Sequence, residues 1–147
     1  MEKSTSFWGG RDFCWACRVL AADAPVCVLA DAAVAVLLNP FPVNPGHTLI
    51  VPRQHLENLY ELPDVLAGPI LSMAGRVAVA ARKAFAADGM TLRQNNGAAS
   101  DQHLFHFHLH VIPRFEGDGE RFSTWATSTM TLADQERVRQ RLRGTLT

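Results

Sequence analysis

The chain has 147 residues, with 14 basic and 14 acidic side chains and a formal net charge of zero. That length suits one compact domain, and the neutral balance supplies no global field to draw the protein onto a nucleic-acid polymer or an anionic membrane. No apolar run approaches the roughly 20 residues that cross a bilayer, and residues 1–10 contain no stretch of signal-peptide length, so the expected compartment is the cytoplasm and an anionic ligand must be caught by local groups.

After an N-terminal extension, residues 1–12, Cys14 and Cys17 form a C-x-x-C pair, which reads either as half of a metal site or as a redox pair. A redox pair would usually sit at a helix start in a thioredoxin-like alternation of strands and helices, which this sequence lacks. Cys27 stands in an apolar run and reads as a small core residue. Residues 26–38, rich in Val, Leu and Ala and broken by Asp31-Ala32, predict two short strands joined by a turn. Residues 39–46 hold three prolines, two asparagines and a glycine, a loop composition.

Residues 47–52 have the β-branched content of a strand that ends at Pro52. From Pro63-Asp64 to about residue 87 the pattern fits a long helix, with Pro69 near its first turns and Gly89 closing it. Residues 90–94 predict a further strand, 95–102 a polar loop, and 104–112 the clearest strand of the chain, stopped by Pro113. Thr131-Leu132-Ala133-Asp134 resembles a capped helix start leading into a charged helix that ends near Gly144. Strands clustered around one long helix favour a mixed antiparallel α+β domain.

Side chains alternate along a strand, so Leu104, His106, His108, His110 and Ile112 are expected on one face, with Phe105, Phe107, Leu109 and Val111 on the other as a core face. Three imidazoles at period two ask for a chemical explanation. The outer two would lie about 13 Å apart along the strand, too far to share one ion, although adjacent pairs could still supply ligands. Imidazole, with an ordinary pKa of about 6.5, can act as nucleophile, acid or orienting partner near neutrality. If one ring nitrogen of His108 donates to a fixed carbonyl, the other keeps its lone pair and can attack phosphorus.

The segment Gln102-His103-Leu104-Phe105-His106-Phe107-His108-Leu109-His110-Val111-Ile112-Pro113-Arg114 resembles the signature of the histidine triad (HIT) superfamily of nucleotide hydrolases and transferases. Pro45-Gly46-His47-Thr48-Leu49-Ile50-Val51-Pro52 followed by His55 resembles its upstream block, and Asn95-Asn96-Gly97 the loop before the triad. With Cys14 and Cys17, the likeness spans residues 13–118. It implies an α+β, HIT-like fold: an antiparallel sheet with one long helix and a C-terminal helix, paired across a homodimer. Residues 1–147 would form a single HIT domain, with 1–12 as an extension and 115–147 as a C-terminal tail and helix.

The resemblance also implies roles. His108 would be the nucleophile that accepts a nucleoside monophosphoryl group, with His110 and His47 orienting it and touching the phosphate. Asn39 would bind the ribose hydroxyls, Leu37 would belong to the same nucleotide site, and Asn95 and Gln102 would contact phosphate or bridging atoms. Some bacterial members bind zinc through positions that correspond to Cys14, Cys17, His55 and His106, a closed set that makes the metal structural. His106 then braces the catalytic histidines rather than joining them.

The implied activity is hydrolysis at the α-phosphate of a nucleoside phosphoramidate or dinucleoside polyphosphate, the partner being a purine nucleotide. A phosphorylase or nucleotidyltransferase is the alternative within enzymes; His110 stands where several transferases have glutamine, which tilts the reading toward hydrolysis. A nucleotide-binding adaptor with vestigial activity is the alternative outside them. The chain departs from the family at Asp101-Gln102-His103, where relatives commonly have glycine before the glutamine and a hydroxyl residue after it. Asp101 tolerates a positive φ better than most residues, though its carboxylate could repel phosphate.

Overall fold

The structure, a computed structural model, describes residues 5–9, 13–119 and 131–146; parts of the expected extension and tail lie outside the described residues. The helices are α1 (Thr5–Trp8), α2 (Trp15–Ala21), α3 (Asp64–Phe85) and α4 (Leu132–Thr145), and the strands β1 (Cys27–Ala30), β2 (Val34–Leu38), β3 (Thr48–Pro52), β4 (Gly89–Arg93) and β5 (Leu109–Arg114). The strands form one antiparallel sheet in the order β1-β2-β3-β5-β4.

The turn between β1 and β2 is made by Asp31, whose Oδ1 accepts from the Ala33 and Val34 N–H groups, both at 2.8 Å. The core lies between the sheet and α3, which buries Leu66, Ile70, Met73, Ala74, Val77, Ala80 and Ala81. Leu142 of α4 is fully buried in the same cluster. Among the described residues, α3 is the one helix long and apolar enough to cross a bilayer, but its buried face packs against the sheet. Thr131 caps α4 as expected, accepting from the Asp134 N–H at 3.1 Å.

Three boundaries differ from the sequence reading. The turn out of α3 is made not by Gly89 but by Ala86 at φ +54°, and Gly89 opens β4. Pro113 does not stop the last strand; it lies inside β5 opposite Met90, beyond Val111, where pairing with β3 has already ended.

The histidine strand is also shorter than expected. Pairing begins at Leu109, because the backbone just before it is engaged elsewhere: the Phe107 N–H donates to the Leu56 carbonyl at 2.6 Å, and the Leu104 carbonyl accepts from Gln102 Nε2 at 3.1 Å. Strict alternation therefore fails over 104–108. Leu104 enters the core while Phe105 is half-buried, the reverse of the expected faces.

Insertion of β5 between β3 and β4 sets His110 opposite Leu49 on one side and Arg93 on the other. The turn into β3 needs glycine at position 46: φ is +87°, and a Cβ there would lie 2.7 Å from the Phe85 ring and 3.2 Å from Pro113 Cγ. That close approach fixes where His47 starts.

Candidate functional site

Two clusters meet at the start of β5. In the first, Cys14 caps the N-terminus of α2, Cys17 lies in its first turn, His55 follows β3, and His106 is fully buried between them. Cys14 Sγ is 3.3 Å from His106 Nδ1, Cys17 Sγ is 3.6 Å from the same nitrogen, and Cys17 Sγ is 3.5 Å from His55 Nδ1. All four ligand atoms fall within 4.8 Å of one another.

Tetrahedral zinc with Zn–S near 2.3 Å and Zn–N near 2.0 Å separates its ligand atoms by about 3.3–3.8 Å, so the donor set fits that ion. His106 Nε2–H donates to the Pro52 carbonyl at 2.7 Å, which fixes the tautomer that turns the Nδ1 lone pair to the cysteines. Burial pushes the Cys17 thiol up to about 11, with Cys14 adding to the rise. A neighbouring cation would favour the thiolate. The pair does stand at a helix start, the place a redox pair would take, but two histidines complete a four-donor set around it.

The second cluster is a hydrogen-bonded row of imidazoles. His108 Nδ1–H donates to the His106 carbonyl at 2.7 Å, so the neutral ring carries its lone pair on Nε2. His47 Nδ1 accepts from the Val43 N–H at 3.0 Å, which places the His47 proton on Nε2, 2.9 Å from His110 Nδ1. Neutral His110 then carries its own proton on Nε2 and can donate it to an acceptor. The rings of His108 and His110 meet edge to face with centroids 4.9 Å apart.

Burial holds all four site imidazoles in the neutral form. It lowers His47 to about 3, with the His108 charge adding to the effect, and His106 to about 4. It lowers His108 against the opposing bond to the His106 carbonyl, and His110 well below its usual value, helped by the charges of His108, His47 and Arg93. The row can thus present a lone pair and a donor N–H at neutral pH.

The remaining predicted residues divide. Asn39 lies against the row without extending its hydrogen bonds: its Oδ1 accepts from the Phe41 N–H at 2.8 Å, and its Nδ2, a donor, lies 3.2 Å from His47 Nε2, whose own proton faces His110. Leu37 does not, because it is completely buried in β2 within the core and offers no surface to a nucleotide. Gln102 is 2% exposed and uses its amide internally, donating to the Glu57 and Leu104 carbonyls at 2.6 and 3.1 Å and accepting from the Gly97 N–H at 2.7 Å. It shapes the loop instead of reaching outward. Asn95 donates to the Ser100 carbonyl, and its Oδ1 is a buried acceptor that no hydrogen bond among the described residues satisfies.

Asp101 takes the left-handed conformation at φ +69°, so the turn survives the loss of glycine. Its carboxylate lies 3.6 Å from His103 Nε2 and 3.9 Å from Arg93 Nη2. Arg93 was not visible as a site residue in the sequence, because only the register of β4 on β5 puts it beside His110. The network of Asn44, Arg114 and Asp118 was missed as well. Asn44 Nδ2 donates to the Pro113 carbonyl and to Asp118 Oδ2, each at 2.8 Å, and Arg114 grips both Asp118 oxygens, tying the proline loop to β5.

The sequence matches the HIT domain over residues 23–117. The protein named hit from Bacillus subtilis is 38% identical over 116 residues, 78% of this chain and 79% of that protein. An adenosine 5'-monophosphoramidase from Schizosaccharomyces pombe is 31% identical over 102 residues, 69% of this chain and 74% of that one. The crystal structure of a Zn-bound histidine triad family protein from Mycobacterium smegmatis superimposes with a TM-score of 0.78 at 32% identity, covering 93% of this chain and 95% of that one. The chain therefore belongs to the HIT-domain family, and its five-stranded antiparallel sheet with the long α3 is the HIT fold.

The His47 assignment has a pH consequence. An unfolded histidine takes up a proton near pH 6.5, whereas the buried ring does so only near 3. Acidification between those values favours the unfolded chain, and the stability contributed by neutral His47 is lost as pH falls. Nitrogen-detected spectra should show His47 as a neutral Nε2–H imidazole as pH is lowered from about 7 to about 5. Titration at its ordinary value, or the Nδ1–H tautomer, would contradict the assignment.

Proposed function

We propose that the protein is a nucleotide hydrolase that transfers a nucleoside monophosphoryl group to His108 Nε2 and then to water, acting on a nucleoside phosphoramidate or dinucleoside polyphosphate. The observation that carries this reading is the bond from His108 Nδ1–H to the His106 carbonyl, which leaves the opposite nitrogen as the nucleophile. In the first step the P–Nε2 bond forms as the bond to the leaving group breaks, and the positive charge that develops on the ring is stabilised through Nδ1–H by that carbonyl. In the second step water attacks phosphorus, the electron pair returns to Nε2, and nucleoside monophosphate is released.

His110 Nε2–H is the donor assigned to a phosphoryl oxygen, held in its tautomer by His47 and, behind that, by the Val43 N–H. Asn39, against His47, is the candidate for the ribose hydroxyls, and Asn95 with its unsatisfied Oδ1 for a contact near the bridging atoms. Positioning and charge stabilisation dominate phosphoryl transfer of this kind. The match to a relative named as an adenosine monophosphoramidase supports the substrate class and a purine base.

Zinc belongs to the same reading, held by Cys14, Cys17, His55 and His106, and supported by the donor spacing and the zinc-bound relative. When bound, it supplies a crosslink between α2, the loop after β3 and the residue whose carbonyl orients His108. A cytoplasmic homodimer completes the proposal. Support for the dimer is the β4 edge, unpaired among the described residues, with half-exposed Leu92, together with the exposed Val65, Leu71 and Val79 of α3.

Incubation with adenosine phosphoramidate and a series of diadenosine polyphosphates tests the activity. The wild type should release AMP, and His108→Ala should lose at least about 1,000-fold. Micromolar nucleotide binding without turnover would instead indicate an adaptor, and a nucleoside diphosphate formed only when phosphate is added a phosphorylase. For the metal, elemental analysis should find one zinc per chain, and Cys14→Ser should reduce both zinc content and thermal stability. Zinc-free protein whose melting temperature is untouched by Cys14→Ser would remove the metal from the account.

A further inference from the structure

The histidine row leaves one imidazole unused. His103 lies outside the row, with its side chain about one-third exposed, and faces the Asp101 carboxylate at 3.6 Å. Asp101 is held in its left-handed turn by a bond from its own N–H to the Ala98 carbonyl, and its other oxygen faces Arg93 Nη2 at 3.9 Å. Arg93 pairs directly with His110 across the β4–β5 ladder. Arg93, Asp101 and His103 thus form a chain that starts beside His110 and ends at an imidazole whose charge, when it is protonated, acts on His108.

This chain bears on a step that the row does not supply. An amine cannot leave phosphorus as its anion; it must gain a proton as the P–N bond breaks. A phosphate or nucleotide leaves as an anion without one. The donor N–H of His110 is committed to a phosphoryl oxygen in the proposed mechanism, and His108 is the nucleophile. A second imidazole, water-accessible for recharging and facing a carboxylate at 3.6 Å, fits the missing role.

We propose that His103, oriented by Asp101, is the general acid that protonates the leaving amine, which directs the enzyme toward nucleoside phosphoramidates. The proposal rests on the two-step reading above. As the P–Nε2 bond to His108 forms, the P–N bond to the leaving group breaks with its electron pair going to the amine nitrogen, and His103 gives that nitrogen the proton from Nδ1 while Nε2 faces Asp101. His103 is left neutral. The second step is common to both kinds of leaving group: water attacks phosphorus, its proton passes to bulk solvent, and solvent returns a proton to His103, whose side chain is about one-third exposed. Arg93 is a positioning residue: it holds Asp101 and keeps the added carboxylate from acting as an uncompensated negative charge near the phosphate.

The test compares two leaving groups, an alkylamine phosphoramidate of AMP and the para-nitrophenyl ester of AMP, whose phenolate leaves unprotonated. His103→Gln should slow the amine substrate by about 100-fold and the ester by less than about threefold. Asp101→Asn, which keeps a residue tolerant of the left-handed turn, should give a smaller loss with the same selectivity. Ester turnover in each variant reports an intact fold and nucleophile. Equal losses on both substrates, or no loss on either, would overturn the role of His103 while leaving the His108 mechanism standing. A wild type that turns over neither substrate would overturn the underlying hydrolase reading and this inference with it.

Discussion

The His106 ring is held at both nitrogens, and the rest of the site hangs from it. Nε2 donates to the Pro52 carbonyl at the end of β3, Nδ1 faces two cysteine sulfurs, and the residue's own carbonyl receives the proton of His108 Nδ1. Each bond fixes the next tautomer. Were His106 to rotate, the carbonyl that selects the reactive nitrogen of His108 would be less tightly fixed. A completely buried imidazole with both nitrogens committed resists that rotation, since any new orientation would leave polar atoms buried and unpaired.

A second constraint comes from the sheet. Because β5 lies between β3 and β4, His110 is placed by ladders on both sides, and His47 reaches it from the turn that Gly46 makes possible. The Val43 N–H then sets the row from its far end. Backbone groups therefore choose the protonation pattern at both ends, and the side chains between them have little freedom. Burial keeps the whole row neutral, the condition in which each ring has one donor and one acceptor.

Much of this was legible in the sequence, for identifiable reasons. Asp31 marked the β1–β2 turn, the proline-rich loop marked the approach to His47, and the apolar pattern after Pro63 marked α3. The four proposed zinc ligands, named from resemblance, do come together. Alternation was a poorer guide near the triad, because residues 104–108 spend their backbone bonds on Leu56 and Gln102 and leave the pleat. Leu37 and Gln102 show another limit: a motif position does not reveal whether a side chain is sealed in the core or spent on the loop. Arg93 was invisible for a third reason, since strand register is a tertiary property. Once that register is known, the unusual Asp101 and His103 read as a linked pair beside the site.

The central claim is that reaction passes through a covalent bond at His108 Nε2, and the configuration at phosphorus tests it most directly. A substrate made chiral at the α-phosphorus with sulfur and oxygen isotopes can be hydrolysed and the product configuration read by phosphorus NMR. Two successive in-line displacements, one by His108 and one by water, predict net retention. Net inversion would mean that water attacks the substrate directly, and would contradict the account.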